Sequence, residues 1–114
     1  MTTEKSNILY NKIYDEFVLW SPNDTDIVTM SNLDFSQNTF QTDTLRETSK
    51  LDNLIILNDG KYFYTTKSGF TVTYDKTIDS KSVHNISISG SFAEDGNGNI
   101  WFKSGAFNPD GVKF

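Results

Sequence analysis

Four clusters of turn-forming residues punctuate the second half of this chain and commit it to β-hairpins. They are Asn58-Asp59-Gly60, Lys67-Ser68-Gly69, Asp95-Gly96-Asn97-Gly98 and Asn108-Pro109-Asp110-Gly111. Asn, Asp and Gly accept the positive φ of tight hairpin turns, and Pro pre-sets the φ of the first central turn position. Between the clusters lie short runs with strand character. Leu54-Ile55-Ile56-Leu57 is a continuous apolar run of the kind that fills a central strand. Residues 62–66 follow, and then Phe70, Val72 and Tyr74 alternate with Thr71 and Thr73, the pattern of a half-buried strand. Residues 75–82 read as a polar connection. Ile86, Ile88 and Phe92 share one parity in the next expected strand, with His84 and Gly90 on the same face. In residues 99–103, Ile100 and Phe102 oppose Trp101, and residues 112–114 add an expected edge strand.

The first half reads differently. Leu9, Ile13, Phe17 and Trp20 recur at helical spacing, with Tyr10, Tyr14 and Val18 on a neighbouring stripe, so residues 4–20 are expected to be a helix. Ser21-Pro22 ends it, because the residue before proline is pushed out of the α region. Residues 27–30 and 33–35 are expected as short strands around a turn at Ser31-Asn32, and residues 42–51 as a loop with helical character. The expectation is therefore an α+β domain, an N-terminal helix packed on an antiparallel sheet or half-barrel of about five to seven strands. One domain spans residues 1–114: helix at about 4–20, mixed strand and loop at 21–52, β-rich at 53–114.

Two of the hairpins share a cadence. Asp59-Gly60-Lys61-Tyr62-Phe63-Tyr64 runs on to Ser68-Gly69-Phe70, and Asp95-Gly96-Asn97-Gly98-Asn99-Ile100-Trp101-Phe102 runs on to Ser104-Gly105. Both phrases resemble the repeats of β-propeller domains in some bacterial sensor proteins, and Gly60 and Gly98 stand 38 residues apart, close to a blade length. A propeller takes at least four blades, and the front half offers no further copy. Two ordinary hairpins are the reading adopted.

Composition narrows the chemistry. The chain has no cysteine, which removes disulfides, thiolate metal sites and cysteine nucleophiles together. It shows no signal-peptide pattern and no apolar run approaching the ~20 residues of a membrane span, so a cytoplasmic protein without a membrane partner is expected. With a single arginine, Arg46, and a net charge of −5, it is not expected to bind nucleic acid, which is gripped by Lys and Arg. No phosphate-cradling glycine loop and no Gly-x-Ser-x-Gly elbow is present. His84, the one histidine, has no partner fixed by spacing, and a hydrogen-bonded strand histidine is the plainer reading than a general base. Residues 95–99 open like a calcium loop, but Ile100 and Ala106 stand where an EF-hand needs Gly and Glu. No cofactor, no metal and no catalytic activity are expected.

What remains is charge asymmetry. Between Ile13 and Leu45 stand Asp15, Glu16, Asp24, Asp26, Asp34 and Asp43 without one Lys or Arg, whereas residues 58–114 balance six acids with six lysines. A one-signed block steers partners of opposite sign. These acids, with Trp20, Phe35 and Phe40 as apolar anchors, are the expected partner-binding residues. They suit a basic protein, such as a nuclease toxin, and an immunity-protein or phage-inhibitor type of module. Two other classes compete. One is a small-ligand binder with Tyr62, Tyr64, Phe70, Tyr74 and Trp101 lining its mouth. The other is a structural subunit of a phage or surface assembly, using the turns at residues 94–98 and 108–111.

Overall fold

The structure is a computed structural model and describes residues 5–34 and 39–109. These residues form eleven strands and no helix: β1 Asn7–Asn11, β2 Glu16–Trp20, β3 Asp26–Asp34, β4 Thr39–Arg46, β5 Leu51–Ile56, β6 Tyr62–Thr66, β7 Thr71–Asp75, β8 Ser80–His84, β9 Phe92–Glu94, β10 Ile100–Phe102 and β11 Gly105–Phe107. Each strand pairs antiparallel with its sequence neighbours inside one of three meanders. Sheet A has the order β1-β2-β3-β4, sheet B β5-β6-β7-β8 and sheet C β11-β10-β9. The fold is all-β.

The expected helix over residues 4–20 is instead the hairpin of β1 and β2. Asn7 pairs with Trp20 and Asn11 with Glu16, and the turn closes through Asp15, whose φ of 52° is left-handed. Helical spacing misled because this hairpin carries apolar residues on both faces. Leu9, Val18 and Trp20 face inward, while Ile8, Tyr10 and Phe17 face out. Apolar residues on both parities satisfy a 3.6-residue period as readily as a 2-residue one. The β-branched and aromatic content then decides for strand.

Other expectations shift as well. The expected turn at Ser31-Asn32 lies inside the continuous strand β3, and the expected loop of residues 42–51 holds most of β4 and the start of β5. The apolar run at Leu54 is not central: β5 is an edge strand. Residues 75–82, expected as connection, contain the start of β8, whereas residues 85–91 carry no strand. The expected edge strand at residues 112–114 lies outside the described residues.

The three sheets stack as layers with B in the middle. Val18, Trp20 and Ile27 of sheet A pack on Leu51, Leu54, Tyr62, Tyr64 and Val72 of sheet B. On its other face, sheet B meets sheet C through Phe63 against Phe92 and Ile100. All five residues of β6 are therefore buried, which is why Tyr62-Phe63-Tyr64 shows no polar alternation. Full burial of each of these three rings contributes roughly 2–3 kcal/mol. Tyr62 and Tyr64 point at sheet A, and Phe63 stacks edge-on to Phe92 with centroids 5.2 Å apart.

Candidate functional site

The A–B interface has an apolar centre and a polar seam. Glu16 follows the inward parity of Val18 and Trp20, so β2 carries a carboxylate into the layer with no solvent exposure. A buried carboxylate persists only where donors surround it. Tyr62 donates its phenol O–H to Glu16, Lys76 forms an ion pair with it, and Asn11 adds an N–H at 3.3 Å. A second set repeats the arrangement. Tyr64 donates to Glu47, and Lys81 pairs with the same carboxylate at 2.9 Å while donating to the Arg46 carbonyl. Burial, reinforced by the carboxylate each one serves, pushes both phenols above the ordinary tyrosine range.

Beside the first of these sets, on the flank where β4 faces β7, the sheets leave a niche of about 270 Å³ counting its open mouth. Thr29, Asp43 and Leu45 of sheet A line one side, and Tyr62, Tyr74 and Lys76 of sheet B the other. Thr29 and Asp43 are register partners on the inward face. Tyr74 gives its phenol proton to Asp79 at 2.7 Å. Burial comes first among the causes that push Tyr74 up to about 12, followed by that bond and the charges of Asp79, Asp43 and Asp75. The flank is electronegative because Lys76 and Lys81 are already committed to Glu16 and Glu47.

The residues expected to bind a partner do not form one face. Glu16 and Trp20 are buried, the first in the seam and the second in the core. Asp15 sits in the β1–β2 turn and accepts the Tyr10 hydroxyl at 2.8 Å. Asp24 and Asp26 stand at the other end of the hairpin. Asp24 is bound by Lys5 at 2.6 Å, which lowers its pKa, and Asp26 lies 3.9 Å from Arg46. Asp34 ends β3 and Phe40 lies in β4 opposite Asn32; Phe35 is outside the described residues. Only Asp43 is both exposed and at the niche.

Of the residues expected around a ligand mouth, the three tyrosines share one face and Phe70 and Trp101 lie elsewhere. Tyr62, Tyr64 and Tyr74 face sheet A, Phe70 lies in the β6–β7 connection, and Trp101 stands on sheet C, its indole N–H held by Asp95 at 2.7 Å. That bond, with the N–H groups of Asn97 and Asn99, holds the Asp95 carboxyl down at about 2, and the 95–99 segment is a turn built on its own aspartate. His84 lies 2.6 Å from Thr73 Oγ1 and packs on Phe63 and Phe107. Among the described residues no group of three or more His, Cys, Asp or Glu is placed to hold a metal, and no helix is long and apolar enough to cross a membrane.

Sequence reasoning did not single out Thr29, Lys76 or the pairing of Tyr62 with Glu16. One signal was present: an acid in phase with Val18 and Trp20 demands buried donors once the segment is read as a strand. Comparison with known proteins found no match: no family model, no curated protein and no solved structure.

Proposed function

We propose that this protein is a non-catalytic, cytoplasmic binding module that docks a basic protein partner, as an inhibitor or immunity protein does, through the flank where β4 faces β7. One observation carries the reading. Asp43 lines the niche and Asp79 accepts the phenol of Tyr74, which lines it too, while Lys76 and Lys81 are paired with Glu16 and Glu47. Uncompensated carboxylates at an open mouth attract cationic surfaces and speed encounter in a salt-dependent way. The acids at Asp24 and Asp26 contribute less, being paired with Lys5 and Arg46.

The test is capture from host extract with the native protein and an Asp43→Asn/Asp79→Asn variant, at low and moderate ionic strength. The expected result is a Lys- and Arg-rich protein held by the native chain, released by salt, and bound about tenfold more weakly by the variant. Equal retention of the same proteins by both chains would sink the reading.

A structural subunit remains a second reading because of the outer face of sheet A. Ile8, Tyr10 and Phe17 are 62%, 53% and 39% exposed there, and the Tyr10 and Phe17 rings lie 5.3 Å apart. Contiguous exposed apolar residues mark contact surfaces. Sedimentation velocity over a concentration series decides: self-association abolished by Phe17→Ser supports this reading, and a monomer at every concentration removes it.

A further inference from the structure

The turn between β9 and β10 carries a peptide unit open to rearrangement. Among the asparagines of the chain, Asn97 alone is followed by glycine. An asparagine side chain reacts with its own backbone when the amide nitrogen of the next residue reaches Cγ, and a Cβ on that next residue stands in the way. Glycine removes the obstacle. The fold then leaves this pair accessible. Asn97 is exposed, and its side-chain amide has no hydrogen-bond partner among the described residues. Gly98, at φ +83°, gives its N–H to the Asp95 carbonyl over 3.3 Å, a long bond that holds the attacking nitrogen weakly. Other asparagines lack one condition or another. Asn23 and Asn58 precede aspartates, and Asn58 also donates its side-chain N–H to the Asp95 carbonyl at 3.3 Å. Asn11 is buried and donates to Glu16 and to the Gly60 carbonyl. Asn108 precedes proline, which has no N–H to lose.

We infer that Asn97-Gly98 is a site of spontaneous deamidation and isomerisation, and that its conversion releases Trp101 from its anchor. The Gly98 nitrogen bonds to Asn97 Cγ and gives up its proton. The Cγ–Nδ2 bond breaks, and ammonia leaves with that proton, closing a succinimide ring. Water then adds to one of the two imide carbonyls and opens the ring. Opening at Cγ gives aspartate; opening at the backbone carbonyl gives isoaspartate, in which the chain runs through Cβ and Cγ. In sum, asparagine plus water gives aspartate or isoaspartate plus ammonia, a covalent change that adds one negative charge. The consequence follows from what Asp95 holds. Its Oδ1 accepts the N–H groups of Asn97 and Asn99 at 2.8 and 3.0 Å, and its Oδ2 accepts the Trp101 indole N–H at 2.7 Å. One extra backbone atom inside that turn pulls the Asn99 N–H out of register with Asp95, and the new carboxylate repels the old one. Trp101 is 56% exposed, and its register partners across sheet C are Ala93 and Ala106, too small to fix the ring once that bond goes.

The test is incubation of isotopically labelled protein at pH 8 and 37 °C, followed by peptide mass mapping, with fragmentation to locate each conversion, and by the indole N–H resonances. Asn97 should gain about 1 Da, as aspartyl and isoaspartyl forms, about tenfold faster than any other asparagine. In step with it, the Trp101 resonance should fade and reappear elsewhere, while that of Trp20, buried in the A–B core, stays in place. Asn97→Gln, whose longer side chain would have to close a larger ring, should stop the mass gain and keep the Trp101 resonance of fresh protein. Asn97→Asp carries the new charge without the longer backbone and should move that resonance less than the isoaspartyl form does. Earlier conversion of Asn23 or Asn58, or an Asn97 that stays intact in the folded chain while converting in urea, would overturn the site. Conversion at Asn97 with an unmoved Trp101 resonance would overturn the release.

Discussion

At the scale of single residues, the two seam tyrosines do similar work in unequal surroundings. Glu16 has no exposure, whereas the Glu47 side chain keeps 10%. Removing a hydroxyl donor from a buried carboxylate costs its desolvation, while a partly wet carboxylate recruits water instead. Tyr62→Phe should therefore lower unfolding stability by about 2–3 kcal/mol and Tyr64→Phe by about 1 kcal/mol, read from urea midpoints. The same phenols set the alkaline limit. Their folded-state pKa values lie above the unfolded value of 10.0, so above pH 10 the unfolded chain releases protons that the native chain keeps. Stability is then intact below that pH and falls as pH rises through and beyond it, by roughly 1.4 kcal/mol per unit for each tyrosine. Urea unfolding between pH 8 and pH 11 should show this decline, and Tyr62→Phe/Tyr64→Phe should flatten it. A variant as steep as the native chain would assign the decline to other groups.

Among the elements, the turns are where sheets A and B lock. Gly60, in the β5–β6 turn at φ +92°, abuts the β1–β2 turn; a Cβ there would lie 2.7 Å from Tyr14 and 2.9 Å from Ile13. Its carbonyl also accepts the Asn11 side chain at 3.0 Å. Gly60→Ala should cost about 2–4 kcal/mol, from left-handed strain plus displacement of the neighbouring turn. Thermal unfolding checks it, with Gly69→Ala as the control: that turn shares the positive φ but has nothing within 4 Å. A similar loss at both sites would place the whole effect in the backbone. Gly60 and Gly69 also mark what was legible in the sequence. Their clusters placed β6 and β7 well, because turn chemistry is local and read directly from residue type. The β1–β2 hairpin was not legible, because its turn, Lys12 to Asp15, contains Ile13 and Tyr14 where polar residues were awaited. Strand β8 was missed for the opposite reason: Ser80 to His84 are nearly all exposed at the edge of sheet B, so no apolar rhythm announces them. For the candidate site, charge pointed to Asp43 but could not show that Asp24 and Asp26 are paired, or that Glu16 is buried. Those are facts of tertiary placement.

The whole molecule is a serial stack, and its stability should be graded by layer. Sheet B is covered on both faces; sheets A and C are each covered on one. Sheet C is also the smallest, with three strands of three residues each, and it presents Trp101 at 56% exposure on its outer side. Amides exchange through local openings whose free energy rises with the contacts that must break. Hydrogen exchange should therefore rank the layers: the paired amides of β6 slowest, at the global unfolding limit, sheet A next, and β9 to β11 fastest by at least a factor of ten. The seam gives a sharper expectation. If Tyr62 and Glu16 couple A to B, then Tyr62→Phe should speed exchange in β1 and β2 more than in sheet C, which meets B on the opposite face. Uniform acceleration across all three sheets would mean that the stack opens as one cooperative unit, with the polar seam setting its total stability but not the order in which its layers part.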